Sequence, residues 1–191
     1  STCELLYTLL DYEKISVNTA VCLYTGIVHD SGVFKYQSTT RQTMEIAGAL
    51  IDKGFDFTKI IDDTYFKKDF NAAKLLGLVL TNVKLEFNGQ CCYGVLDYDT
   101  WTGYIDDKKK MDGIIDNLRN ISGVEIALFM YESDKGEYKV SLRSINKNVS
   151  SIATALGGGG HIRAAGATVY GRADELLKNT ILPMIKKELD G

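Results

Sequence analysis

"ALGGGGHIRAAGATV", residues 155–169, sets four glycines in a row directly before a histidine. A glycine inside a helix or strand costs about 0.5–1 kcal/mol relative to alanine, so a run of four needs a reason. The flanking residues narrow it. Val149, Ile152, Ala153 and Leu156 recur at helical spacing and predict a short helix over 149–156, while "ATVYG" after the run reads as a short strand. The order helix, glycines, strand excludes a P-loop, which continues Gly-Lys-Ser/Thr into a helix, and a Rossmann turn, which runs from strand to helix. A left-handed Gly157 ending the helix explains one glycine, two at most. The rest imply a backbone brought close to something. Successive N–H groups pointing the same way form a nest for an anion, and the imidazole of His161 can donate to the same oxygen. The competing reading is a loop that merely turns the chain.

Upstream, "YKVSLRS" alternates. Tyr138, Val140 and Leu142 share one strand face, and Lys139, Ser141 and Arg143 share the other. Arg143 therefore leaves the core at a strand end, next to Ser144. "VEIALFMYE" and "EYKVSLRSI" make a hairpin around "SDKGE", and "VKLEFNG" with "QCCYGVLDY" make another at Asn88-Gly89. A helix is expected over 107–120. A final one over 173–189 should kink at Pro183. Before residue 82 the pattern is helical: 2–10, a second helix through "SVNTAVCLYTGIVHD", then 40–52, 57–63 and 69–82. The fold class expected is α/β. A mainly helical part over 1–82 precedes an α+β domain with a mixed sheet over 83–191.

The chain has 191 residues, 45% hydrophobic and 25% charged, enough for a proper core and against disorder. Net charge is −3. Residues 1–82 hold 8 basic and 10 acidic side chains, and the remainder 14 and 15. Neither part is basic overall, so binding to long duplexes through a charged face is not expected. A small or single-stranded anion held by a few donors remains compatible. The four cysteines, Cys3, Cys22, Cys91 and Cys92, form no CxxC and read as reduced core residues of an intracellular, cytoplasmic protein. No apolar run approaches the ~18 residues of a membrane span, and no signal peptide is expected.

Together, "SLRS" and "NVSSIATALGGGGHIRAAG" resemble the DHH-associated domain of the DHH phosphoesterase superfamily. "LYTGIVHDSGVFKYQSTTRQTMEIAGALIDKGFDFTKI" looks like the end of the DHH catalytic domain, with Ser31 where the pattern usually has Thr, and "STCELLY" resembles an earlier stretch of that domain. The oligoribonuclease and phosphoadenosine-phosphate phosphatase subgroup is the nearest in pattern. The resemblance implies a phosphohydrolase that uses a Mn²⁺ pair to activate water. Carried over, Asp30 is the metal-ligand aspartate of the last catalytic motif. Arg143, Ser144, Gly158, Gly159, Gly160 and His161 are substrate contacts. His29 falls on a variable position and is not carried over. The substrates implied are short RNA, phosphoadenosine phosphate or a linear or cyclic dinucleotide, and a homodimer is compatible with the resemblance.

The earlier metal motifs and the DHH triplet do not occur in these 191 residues. Asp30 alone cannot hold two hard cations, which want several oxygen and nitrogen ligands each. The chain is therefore expected to be an N-terminally truncated fragment of an enzyme, binding no Mn²⁺ tightly and hydrolysing nothing by itself. The alternative is a non-catalytic nucleotide or nucleic-acid binding module of a larger enzyme. The Asp30 segment argues against it, because a stand-alone module has no use for a catalytic motif.

Overall fold

The computed structural model describes residues 1–191, which form two compact units, Ser1–Lys67 and Lys68–Gly191. The first is helical: α1 (Thr2–Leu9), α2 (Val17–Ser31), α3 (Arg41–Ile51) and α4 (Phe57–Ile61), continued by a π-helical turn over Asp62–Phe66. Polar caps start the helices. Ser16 accepts from the Thr19 N–H, Thr40 and Thr43 form a reciprocal capping box, and Asp56 accepts from the Lys59 N–H. Ala20, Leu23, Tyr24, Ile27 and Val28 of α2 fall on one face and bury against Ile46, Ala47 and Leu50 of α3.

The second unit opens with α5 (Phe70–Asn82), then β1 (Lys84–Glu86), β2 (Cys91–Leu96), α6 (Tyr98–Thr102), a 3₁₀ turn over Lys108–Met111, α7 (Ile114–Arg119), β3 (Ile126–Asp134), β4 (Glu137–Ser144), α8 (Val149–Ala155), β5 (Gly159–His161), β6 (Ala164–Tyr170), α9 (Ala173–Leu176) and α10 (Leu182–Asp190). The six strands form one mixed sheet in the order β1-β2-β3-β4-β6-β5, parallel only between β2 and β3. A mixed α/β fold with a mixed sheet is thus present. One sheet face carries Ile126, Leu128, Met130, Val140 and Leu142 beneath α8, Ile181 and Ile185. The other packs Cys92, Ala127 and Phe129 against α5 and α7.

Four features differ from the sequence expectations. The compact units part at Lys67/Lys68 rather than near residue 82. The reason is that Ala72, Leu75 and Val79 of α5 bury against the sheet, so this helix belongs to the second unit. The helix expected over 107–120 is broken, because Gly113 stands at φ +85° between the 3₁₀ turn and α7. The last helix does not simply kink at Pro183. A π-helical turn over Leu177–Ile181 absorbs the irregularity, and Pro183 sits in the first turn of α10, where a missing N–H costs nothing. All four cysteines are free, but only Cys91 and Cys92 are buried; Cys22 is exposed on α2. No helix is long and apolar enough to cross a membrane.

Candidate functional site

Strand register places the chemistry. Arg143 of β4 pairs with Ala164 of β6, and Ala164 pairs with His161 of β5. Directly paired antiparallel residues project to the same face, so Arg143 and His161 rise from one cross-sheet row. With strands 4.7–4.9 Å apart, their backbones lie about 10 Å from each other. The next row in the same phase is Ser141–Gly166–Gly159, and then Lys139–Thr168 follows. This is the face that α5 and α7 cover, but that core stops at β3 and includes nothing from β4, β5 or β6. The exposed part is a floor of Ala164, Gly166 and Gly159, with nothing larger than a methyl group. Arg143 and Ser141 border one side, and His161 the other.

Three of the four glycines are required by the fold. Gly157, at φ +80°, ends α8. Its N–H donates to Thr154 O at 3.0 Å, and the Gly158 N–H donates to Ala153 O at 2.8 Å. A Cβ on Gly158 would stand 2.1 Å from Gly166 O, and one on Gly160 2.5 Å from Ala164 O. Both glycines therefore let β5 lie against β6. This corrects the nest expected from the sequence: two of its N–H groups are taken by helix carbonyls, and Gly159 and Gly160 are in a strand. Gly159 is the exception. A Cβ there meets nothing within 4 Å. Its side of the strand is the open face, so the fold makes no demand for glycine at this position.

Arg143 is held without being buried; its side chain is 29% exposed. Nη1 donates to Leu142 O at 3.1 Å, and Nε lies 3.6 Å from Asp116 Oδ1 on α7. A guanidinium has five N–H donors, so these two contacts fix its plane and leave donors for an anion. Asp116 lies 3.8 Å from Arg119 as well. Asp116 and the aromatic residues of β3 were not anticipated, since no spacing in the sequence places a helix carboxylate over a strand two elements further along the chain.

Ser144 does not join this group. Strand alternation turns it to the opposite face, where it is 2% exposed, and its hydroxyl donates to Lys147 O at 2.5 Å. Its work is to close the turn between β4 and α8. Glu125 assists by accepting from the N–H groups of Asn146 and Lys147.

Asp30, in the first unit, occupies the last turn of α2 with its side chain 61% exposed and 3.7 Å from the amino group of Ser1. The residues after it are strained: Gly32, Val33 and Phe34 all have φ between 56° and 61°, a conformation rare for a β-branched residue. His29 points elsewhere. Thr64 Oγ1 donates to Ile60 O, so the His29 Nε2–H donates to Thr64 at 3.0 Å. No group of three or more His, Cys, Asp or Glu side chains converges as a metal site. One carboxylate without convergent partners does not fit a two-metal centre, so no hydrolytic step is assigned to these residues.

Residues 88–187 match the family described as the DHHA1 domain. The chain is 32% identical over 86% of its length to the bifunctional oligoribonuclease and PAP phosphatase NrnA of Bacillus subtilis, and covers 52% of that protein. It is 29% identical over 99% of its length to the protein of the same name in Thermus thermophilus, covering 57% of it. Among solved structures, an exopolyphosphatase-related protein from Bacteroides fragilis superposes over the whole chain with a TM-score of 0.88 at 28% identity, and 56% of that protein is covered. The chain thus spans about half the length of the curated relatives it matches. With the Arg143 strand, the glycine run and the small-residue strand all inside the matched segment, the chain belongs to the DHHA1 domain family of the DHH phosphoesterase superfamily.

Proposed function

We propose that this chain is the substrate-holding part of a DHH-type phosphodiesterase or phosphatase. It takes a phosphate of a short oligoribonucleotide, or of a small nucleotide such as phosphoadenosine phosphate, on the open face of the β4-β6-β5 sheet. The observation that carries this reading is Gly159: the one glycine of the run that packing does not explain lies on the open face beside His161, in the row next to the Arg143–Ala164–His161 row, on a floor with nothing larger than a methyl group. A phosphate lowered onto that floor meets a guanidinium on one side and an imidazole on the other, both suited to charge-assisted hydrogen bonds. The strand between them contributes close backbone approach. The names of the relatives in Bacillus and Thermus support the substrate class.

Bond cleavage belongs to a longer polypeptide. The Mn²⁺ pair implied by the family resemblance needs ligands that this chain does not bring together, and Asp30 would be one contributor to it. A mildly acidic protein is consistent with this division, because one small anion needs only a few local donors.

The test is calorimetric titration of the chain with the diribonucleotide pApA, for the native protein and for Arg143→Ala and His161→Ala. Each contact is worth about 1.5–3 kcal/mol when charge-assisted, so each variant should bind at least about tenfold more weakly. Unchanged affinity in both would remove the basis for the reading.

A further inference from the structure

Next to Arg143, the same sheet face deepens into a depression of about 310 Å³. That is at the lower end of the ~300–1,000 Å³ typical of small-molecule sites. Phe129, Tyr131 and Ser141 line it together with the charged residues Lys108, Asp112, Asp116 and Arg143. The Phe129 and Tyr131 rings are 6.0 Å apart and tilted by 32°. Burial raises the Tyr131 hydroxyl above the usual phenol range; the Lys139 charge opposes that shift and the Asp112 charge adds to it. Asp112 is exposed and not ion-paired, and the Ser141 hydroxyl has no partner within the protein.

Of the two cations in the lining, Lys108 donates to Ser133 O at 3.1 Å and Arg143 faces Asp116 at 3.6 Å; the Asp112 carboxylate only accepts hydrogen bonds and repels anions, so its side of the depression does not suit a second phosphate. It suits a flat group with an apolar face and a donor edge. We infer that this depression receives the nucleobase attached to the phosphate at Arg143, and that it prefers guanine. The inference rests on the phosphate-binding reading above. Guanine presents N1–H and the N2 amine side by side, matching one carboxylate through two parallel hydrogen bonds. Adenine and cytosine offer a single amine. Uracil offers one N–H flanked by two carbonyl oxygens, which face the carboxylates unfavourably. Asp112, which makes no ion pair, takes the base edge, and Asp116 stands between base and phosphate against Arg143.

Titration with pGpG and pUpU tests this. The single tryptophan, Trp101, lies 6.4 Å from the Tyr131 ring and provides a fluorescence signal alongside calorimetry. One charge-assisted pair gives pGpG an advantage of at least about tenfold over pUpU, and Asp112→Asn should collapse that ratio toward unity. Arg143→Ala should weaken both ligands together, because both carry the phosphate. Equal affinity for the two ligands in the native protein overturns the base subsite and leaves the phosphate site standing. A guanine preference that survives Asp112→Asn also overturns the assignment, and failure of both ligands to bind overturns both readings.

Discussion

Replacing the glycines one at a time separates packing from ligand contact. At Gly158 a methyl carbon would lie 2.1 Å from the carbonyl oxygen of Gly166. Neither atom is at the end of a flexible side chain, so β5 must move off β6. Overpacking of this kind costs about 1–3 kcal/mol, which lowers Tm by at least about 2–4 °C in a chain of this size. At Gly159 the same methyl meets nothing, and φ is not left-handed. There the substitution only restricts the unfolded chain, a gain of about 0.4–1 kcal/mol, so Tm should hold or rise by about 1–4 °C. The added methyl nevertheless stands where the phosphate must come down, and loss of one charge-assisted contact weakens binding about ten- to a hundredfold. Thermal melting of Gly158→Ala and Gly159→Ala, with pApA titration of each, reads both effects. A Gly159→Ala protein as destabilised as Gly158→Ala would refute the packing argument. A stable one that binds pApA normally would refute the contact.

Two further expectations concern side chains whose roles the structure reassigns or fixes. Ser144→Ala should lower stability by about 1 kcal/mol through the lost buried hydrogen bond to Lys147, measured by urea denaturation, and should reduce pApA affinity far less than Arg143→Ala. The Cys91 thiol is pushed up to about 12, chiefly by burial, so iodoacetamide at pH 8.5 should alkylate exposed Cys22 in the native chain and spare Cys91, as read by peptide mass spectrometry. The sign of the linked pH effect follows. The unfolded thiol ionises above about 8.5 while the folded one stays protonated, so this group's contribution to stability is intact below that value and declines as pH rises toward 12.

Much of this was legible in the sequence because alternation and helical spacing are strong signals. Tyr138, Val140 and Leu142 alternate with Lys139, Ser141 and Arg143, and that pattern alone put Arg143 on the face away from the main core. The same alternation assigns Ser144 to the core face; its position beside Arg143 in a familiar motif had suggested a shared role. Strand β5 was hidden because glycine has no strand preference to read, so Gly159–His161 looked like a loop. The sequence showed that four glycines needed a reason but not that packing against Gly166 and Ala164 accounts for two of them. That requirement is a distance between strands. The depression beside Arg143 was hidden for a similar reason: Asp112 and Asp116 meet Tyr131 and Ser141 only after a broken helical segment crosses the sheet.

The most direct measurement is a crystal structure of this chain with pApA bound. The account predicts a phosphate over Gly159, with one oxygen within hydrogen-bonding distance of the Arg143 guanidinium and another within reach of the His161 imidazole. A nucleotide bound away from the β4-β6-β5 face, with Arg143 still turned to Asp116 and His161 untouched, would contradict it.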